Sequence, residues 1–173
     1  LVEGNEIDSK KIDHAVDRMY IGFKYNPKTE QPEVHLGGAN VEEEIRSLEV
    51  AKKVSLVAAI PRIRHKLVEL QQRMAETGGV IMDGRDIGTV VMSDAELKFF
   101  ITADPQVRAA RRVDQLKETN PEVKFDDVLN NLVERDRIDS SRAVSPLRQA
   151  DDAIVLDNSH LTHEEQFQFL LVH

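Results

Sequence analysis

The sequence predicts an α/β protein with a parallel sheet, on three observations. Short continuous apolar runs, typical of strands buried on both faces, alternate with longer segments of helical periodicity. An early stretch of period-two alternation predicts a small antiparallel meander beside the sheet. Hydrophobic residues make up 40% of the 173 residues, which is sufficient for a hydrophobic core.

The meander is predicted near the start of the chain. Residues 18–25 alternate apolar and other side chains, which favours a strand with one apolar face. A turn follows at residues 26–29, and Val34 with Leu36 indicates a second short strand that ends at a Gly-Gly turn. The apolar positions of the first strand are Met19, Ile21, Phe23 and Tyr25.

Helices and buried strands alternate after the meander. A proline in the first turn and a Gly-Gly pair after the last turn delimit the clearest helix, residues 61–77. Asp104 followed by Pro105 predicts the start of another, and Thr162 with Glu165 matches the capping box of the last one. The predicted helices cover residues 61–77, 105–117, 125–137 and the segment after Thr162, and the predicted strands cover residues 80–82, 97–101 and 153–156.

The composition excludes several classes of protein. Without cysteine, the chain has no disulfide scaffold, thiolate nucleophile or cysteine-bound zinc. The six histidines show no metal-ligand spacing, so no metal-binding residue is predicted. No apolar run reaches the ~20 residues of a membrane span, and no charged-then-apolar leader opens the chain. We therefore expect a soluble, cytoplasmic protein with no membrane partner.

The net charge of −8 hides a basic segment. Residues 46–73 carry seven basic and two acidic side chains, an excess of +5. This segment predicts either a local site for an anion or a solvated helix face. It does not indicate nucleic-acid binding, which requires a broad basic surface. The basic residues are Arg46, Lys52, Lys53, Arg62, Arg64, Lys66 and Arg73.

The densest polar cluster follows the predicted strand at residues 80–82. Residues 83–89 read Asp-Gly-Arg-Asp-Ile-Gly-Thr, and in open α/β sheets ligands bind beyond the carboxyl ends of strands. Arg85 can fork onto phosphate oxygens, and Asp83 or Asp86 can orient a hydroxyl group or hold a metal through water. The alternative is an ordinary polar loop in which Arg85 pairs with Asp86.

Two further stretches are rich in arginine. On a continuing helix, Arg135, Asp139 and Arg142 fall on one face, which fits a ligand that carries both phosphate and hydroxyl groups. The alternative is an Arg–Asp pair on a solvated surface. Residues 108–112 cluster like charges on the helix that starts at Pro105, so that helix faces either an anion or solvent.

Taken in order, these segments resemble the bacterial cytidylate kinases, from about residue 34 to the C-terminus. Each motif is weak alone, whereas their shared order and spacing is specific. The matching segments are Glu44–Arg46, Val54–Arg64, Asp83–Thr89, Arg108–Arg112, Glu134–Asp136, Asp139, Arg142–Leu147 and Ala150–Ala153.

The resemblance implies a fold and an activity. The fold is a P-loop NTPase-like parallel sheet flanked by helices, with a small antiparallel nucleotide-binding insert. Residues 1–77 correspond to the insert with its helices, and residues 78–173 to the rest of the kinase core, with a lid segment near residues 105–121. The activity is direct in-line transfer of the γ-phosphoryl group of ATP to CMP or dCMP, with Mg²⁺.

The resemblance also implies which residues bind CMP. By position, Ser55, Arg64 and Asp86 match residues that recognise the cytosine ring. Arg85 and Arg142 match residues that contact the CMP phosphate.

The remaining implied residues lie on the two predicted helices that are rich in arginine. Arg135 and Asp139 match residues near the ribose and the phosphates. Arg111 and Arg112 lie in the lid-like segment that closes over ATP. The implied catalytic residues are Arg85, Asp86, Arg135 and Arg142.

One departure from the family pattern is serious. None of the eight glycines precedes a lysine, so these 173 residues contain no Gly-x-x-x-x-Gly-Lys-Ser/Thr segment, whose backbone N–H groups hold ATP phosphates. The family's Asp-Ser-Gly segment is absent as well, and the chain begins with Leu1. We therefore expect an N-terminally truncated, catalytically incompetent form of a longer kinase. The missing central strand would leave open sheet edges, which favours a dimer over the family's monomer.

Two alternatives stay open. In the first, the chain is a non-catalytic module that binds pyrimidine nucleotides. In the second, it belongs to a nucleoside monophosphate kinase that acts on another base.

Overall fold

The computed structural model describes residues 2–3, 6–7, 9–117 and 120–173. Within it the chain divides into two compact units, Leu1–Leu70 and Gln71–His173. The domain boundary between residues 77 and 78 remains a prediction. Two residues of the predicted lid segment, 118 and 119, lie outside the described residues.

The N-terminal unit begins with short antiparallel strands and continues with helices. β1 (Val2–Glu3) and β2 (Glu6–Ile7) form a two-stranded sheet. β3 (Ile21–Asn26), β4 (Gln31–Leu36) and β5 (Ala39–Asn40) form an antiparallel sheet in that order. A 3₁₀ turn at Glu44–Arg46 precedes two helices. The bounds are β1 Val2–Glu3, β2 Glu6–Ile7, α1 Ser9–Asp17, β3 Ile21–Asn26, β4 Gln31–Leu36, β5 Ala39–Asn40, α2 Leu48–Ala58 and α3 Pro61–Ala75.

The predicted meander is confirmed as the sheet of β3, β4 and β5. Phe23 pairs with Val34 in its register, so the apolar positions of both strands share one face. The Lys28 N–H donates to Asn26 Oδ1 at 2.9 Å, which closes the first turn. Gly37 and Gly38 have φ of 60° and 90°, the left-handed region that explains the Gly-Gly pair at the second turn.

The core of the N-terminal unit lies between its helices. Ile12 and Val16, four residues apart on α1, pack with Ile63 of α3. Val57, Ile60 and Leu67 are partly buried against this cluster.

The C-terminal unit contains the predicted parallel pairing. β6 and β7 pair in parallel from Phe99 opposite Ile154 to Thr102 opposite Asp157. Helices α4 and α5 pack against each other. On α4, Ala109, Val113 and Leu116 recur at helical spacing and are buried. The bounds are β6 Phe99–Thr102, α4 Pro105–Lys117, α5 Phe125–Ser141, β7 Ile154–Asp157 and α6 His163–Leu171.

The strand predicted at residues 80–82 is wrong. The segment forms no strand, and Ile81 is fully exposed. Its backbone pairs with no neighbouring strand in the described part of the chain, and an extended segment is a strand only when a neighbour satisfies its N–H and C=O groups. The other predicted strands and helices are present, with ends that differ by a few residues.

Over the described residues, the structure contains no helix with the length and apolar character to cross a membrane.

Candidate functional site

The polar loop after α3 leads into one π-helical turn, Ile87–Val91. Such turns are rare, and single π-helical turns are frequently found at functional sites. The Asp86 carbonyl oxygen accepts hydrogen bonds from Val90 N at 2.9 Å and Val91 N at 3.2 Å, so Asp86 begins the turn. Its side chain is only 3% exposed.

Two aspartates and two arginines meet beside this turn. Asp139, near the end of α5, receives Arg142 Nη1 on Oδ1 at 3.3 Å and Arg85 Nε on Oδ2 at 3.1 Å. Arg142 Nη2 lies 3.7 Å from Asp86 Oδ1. The Arg142 and Asp139 side chains are 2% and 5% exposed, whereas that of Arg85 is 41% exposed. Arg85 is therefore the member of this cluster with the most access to solvent.

The chain after α5 folds back to hold Arg142. The Arg142 Nε–H donates to the Ser145 carbonyl oxygen at 2.5 Å, and Leu147 N donates to the Asp139 carbonyl oxygen at 2.8 Å. Ser145 has φ of 52°, a left-handed conformation that is uncommon for a residue other than glycine. Strained backbone of this kind is concentrated at functional sites. Arg142 is the C-cap of the helix and lies outside its last turn, contrary to the predicted continuing helix.

Arg135, one turn before Asp139 on α5, adds a third cation. Its Nε is buried and has no hydrogen-bond partner within the described residues. Burial lowers the pKa of Arg135, and the nearby positive charge of Arg85 lowers it further. With three guanidinium groups and two carboxylates, the cluster has an excess of one positive charge, which favours an anionic ligand.

Four of the nine predicted site residues lie outside this Arg–Asp cluster, although the positive charge of Arg112 on α4 also lowers the pKa of Arg135. Ser55 on α2 and Arg64 on α3 belong to the N-terminal unit, and both are buried. The Arg64 Nε–H donates to the Ala58 carbonyl oxygen at 3.4 Å. Arg111 donates to Asn158 Oδ1 and O at 3.0 and 2.8 Å, and Arg112 donates to Gln115 Oε1 at 3.1 Å.

The alternative interpretations of these motifs, an Arg85–Asp86 pair in a polar loop and an Arg–Asp pair on a solvated surface, are wrong. Arg85 pairs with Asp139 rather than with Asp86, and Asp139 is buried rather than solvated. Both errors arise because Asp139 packs against Arg85, which lies 54 residues away in the sequence. The basic segment of residues 46–73, in contrast, contains several partly exposed ion pairs, three of which join residues three or four positions apart. These pairs are Arg46–Glu42, Lys53–Glu49, Arg62–Asp17 and Lys66–Glu69.

The sequence interpretation missed Lys98 and Asp152. The Lys98 Nζ donates to Asp152 Oδ2 and to the Ser93 carbonyl oxygen, both at 2.6 Å. This hydrogen bond lowers the pKa of the Asp152 carboxyl. A lysine within the predicted buried strand at residues 97–101 was the available signal, since buried lysines require a partner.

The described residues include no group of three or more His, Cys, Asp or Glu side chains placed to hold a metal ion. The two buried carboxylates, Asp86 and Asp139, are each engaged by arginine. These residues therefore do not fit a resident metal.

The C-terminal unit combines a parallel strand pair with a buried, net cationic Arg–Asp cluster, features that suit the class of α/β proteins with anionic ligands. The family model described as cytidylate kinase matches residues 4–171. The chain belongs to the cytidylate kinase family, and so to the phosphotransferases.

Curated relatives agree with this assignment. A cytidylate kinase of Parabacteroides distasonis is 52% identical over 169 residues, which cover 98% of this chain and 74% of that protein. One of Bacteroides fragilis is 46% identical over 171 residues, with 99% and 75% covered. One of Porphyromonas gingivalis is 51% identical over 166 residues, with 95% and 72% covered.

Proposed function

We propose that the Arg–Asp cluster of the C-terminal unit binds the phosphate and ribose of CMP or dCMP, as acceptor of the γ-phosphoryl group of ATP. The observation that carries this proposal is the burial of Asp86, Asp139 and Arg142 around one another. Buried ion pairs contribute little net stability, so their presence supports a role in a site.

Arg85 and Arg135 are the groups that receive the phosphate in this proposal. The Arg85 side chain is partly exposed, and its Nε donates to Asp139 Oδ2 at 3.1 Å, which fixes the guanidinium beside the cluster. Within the described residues, the Arg135 Nε is buried and has no hydrogen-bond partner, and a phosphate oxygen satisfies such a donor. Arg142, the other residue that matches a phosphate contact, lies between both aspartates and offsets part of their negative charge. Asp139 accepts a hydrogen bond from the ribose.

Ser55, Arg64 and Asp86 are proposed to recognise the cytosine base. Cytosine presents an amino donor beside a ring-nitrogen acceptor and a carbonyl acceptor, so its complement combines a carboxylate with guanidinium and hydroxyl donors. All three side chains are buried, which supports recognition by hydrogen bonds rather than by diffuse charge.

The reaction is an in-line displacement. An oxygen of the CMP phosphate forms a bond to the γ-phosphorus of ATP while the bond from that phosphorus to the β–γ bridging oxygen breaks, which gives CDP and ADP. Arg85, Arg135 and Arg142 position the acceptor and offset its negative charge, with Asp86 holding Arg142 in place. Arg111 and Arg112 of α4 are proposed to contact ATP, which enters as its Mg²⁺ complex.

The test is calorimetric binding of CMP, dCMP, UMP, AMP and GMP to the 173-residue protein. We expect CMP or dCMP to bind most tightly. Arg64→Ala should weaken CMP binding about 10- to 150-fold, the effect of losing one charged hydrogen bond. Arg62→Ala is the matched control, because Arg62 lies on the same helix and pairs with exposed Asp17. Conversion of CMP and ATP to CDP is measured in parallel.

Specific outcomes contradict the proposal. Equal affinity for all the monophosphates removes the cytosine assignment, and preference for a purine supports a kinase of another base specificity. CMP binding by the 173 residues without phosphoryl transfer agrees with the catalytically incompetent form expected from the sequence.

A dimer is proposed at the open edge of β6. In the described part of the chain, this strand pairs only with β7, and Ile101 is half exposed. Its sequence Phe-Phe-Ile-Thr contains none of the charges or prolines that protect edge strands. Light scattering tests this proposal, and a monomer at all concentrations contradicts it.

A further inference from the structure

Lys98 has an unusual environment for a lysine. Its side chain is only 8% exposed, and the residue directly precedes β6. Its ammonium group makes two hydrogen bonds of 2.6 Å, to Asp152 Oδ2 and to the Ser93 carbonyl oxygen. One side chain thus joins two segments that lie on opposite sides of β6 in the sequence.

The aliphatic part of Lys98 contacts the π-helical turn. A Cβ placed on Gly88 would lie 3.3 Å from Lys98 Cδ and 3.6 Å from Lys98 Cγ. The same position would lie 3.8 Å from the Ala150 Cβ. Gly88 is therefore in close contact with the Lys98 methylene groups, and the absence of a side chain at residue 88 permits that contact.

The turn that rests on Lys98 is the turn that begins at Asp86. Val90 N and Val91 N donate to the Asp86 carbonyl oxygen, so a shift of the turn displaces Asp86. The Asp86 carboxylate in turn lies 3.7 Å from Arg142. A continuous series of contacts thus runs from Asp152 through Lys98 and the turn to the Arg–Asp cluster.

We propose that the Lys98–Asp152 pair is a clasp that positions Asp86, and through it Arg142, for CMP binding. Lys98 and Asp152 are positioning residues, and neither touches the ligand. This inference rests on the proposed function, because it assumes that the Arg–Asp cluster binds CMP.

The contacts argue against a purely stabilising ion pair. Asp152 is 63% exposed, so solvent screens its charge and the pair contributes less than a fully buried pair. A methionine would fill the same space beneath Gly88 without burial of an ammonium group. The second hydrogen bond, to the Ser93 carbonyl oxygen, fixes the direction of the Lys98 side chain and hence the surface on which Gly88 rests.

The test compares Lys98→Met with the wild-type chain in CMP binding and in hydrogen exchange. Methionine keeps the methylene contact and removes the ammonium group. We expect CMP affinity to fall about 3- to 30-fold, within the usual range for residues that act at a distance from the ligand. Exchange at the amides of Val90, Val91 and Met92 should rise, while exchange in the centre of α5 stays unchanged. Lys117→Met is the control, since Lys117 is exposed and pairs within its own helix.

Asp152 provides a second pair of variants that leaves the buried lysine in place. Asp152→Asn should reproduce the loss of affinity, and Asp152→Glu, which retains the charge, should restore most of it. These exposed substitutions decide the question if Lys98→Met fails to fold.

The outcomes separate the clasp from the proposed function. Unchanged CMP affinity in Asp152→Asn, or faster exchange that is uniform over the C-terminal unit, overturns the clasp. Absence of CMP binding by the wild-type chain contradicts the proposed function instead. The exchange measurement needs no ligand, so it still shows whether Lys98 fixes the turn.

Discussion

Two ion pairs, one from each unit of the chain, differ in burial. In the N-terminal unit, Arg62 donates to both carboxylate oxygens of Asp17 at 2.9 Å, and the two side chains are 48% and 69% exposed. In the C-terminal unit, Arg142 meets Asp139 at 3.3 Å, and these side chains are 2% and 5% exposed. The geometry is better in the exposed pair, whereas desolvation is nearly complete in the buried one.

The comparison shows that charge content does not locate a site. Residues 46–73 hold the largest local excess of positive charge, yet several of their basic side chains form partly exposed pairs with nearby carboxylates. Exposed pairs contribute about 0–1 kcal/mol. The buried cluster has a smaller excess of charge but concentrates it where water screens it least, so a ligand experiences it most strongly.

The largest predicted effect comes from the removal of one buried charge. Asp139→Asn leaves Arg142 with a weakened partner and should lower the free energy of unfolding by about 3–5 kcal/mol. Asp17→Asn, in the exposed pair, should change it by about 1 kcal/mol or less. Urea unfolding followed by circular dichroism measures both. Similar losses in the two variants would contradict the distinction between the units.

Arg85→Met is expected to weaken CMP binding strongly while it lowers the free energy of unfolding only slightly. Arg85 is the partly exposed member of the cluster, so its loss should affect folding less than the loss of Asp139. The affinity for CMP should fall about 10- to 150-fold through the loss of a charged hydrogen bond. Calorimetry measures the affinity, and Arg46→Met, which removes the exposed partner of Glu42, is the matched control. Equal CMP binding by wild type and Arg85→Met would exclude Arg85 from the phosphate site.

The capping box of α6 offers a smaller effect at a site away from the cluster. Thr162 Oγ1 accepts a hydrogen bond from Glu165 N at 3.2 Å, and the Glu165 carboxylate accepts one from Thr162 N at 2.8 Å. Thr162→Ala should destabilise the helix by about 1 kcal/mol. Hydrogen exchange over residues 163–171 measures this loss, and CMP affinity should not change. An effect on CMP affinity would mean that α6 contributes to the site.

Most of the fold could be predicted because its signals are local. The capping residues Thr162 and Glu165, Asp104 before Pro105, and the glycines at the turns each act within a few residues. The strand at residues 80–82 could not be predicted correctly, because an apolar run becomes a strand only beside a neighbour. Its sequence contains no information about whether that neighbour is present.

The site was predictable in its residue types and only partly in its contacts. Arginine forks near aspartates identified residues 85, 86, 135, 139 and 142, and the structure brings these five together. The Arg142–Asp139 pair joins residues three apart, whereas the Arg85–Asp139 and Lys98–Asp152 pairs each span 54 residues. Such partners follow from tertiary packing, which motif spacing does not report.

The smallest predicted effect is a pH dependence confined to the exposed pairs. The hydrogen bond from Val34 N, followed by the contact with Arg46, lowers the pKa of Glu42 below the ordinary range of glutamate. Because the folded-state pKa is lowered, this stabilisation is present at neutral pH and is lost as the pH falls from about 5 through the folded-state pKa. Hydrogen exchange at Val34 should therefore rise in acid, and in Glu42→Gln it should be high already and insensitive to pH in this range. If wild type and Glu42→Gln respond identically to acid, the carboxylate of Glu42 does not hold the end of the meander.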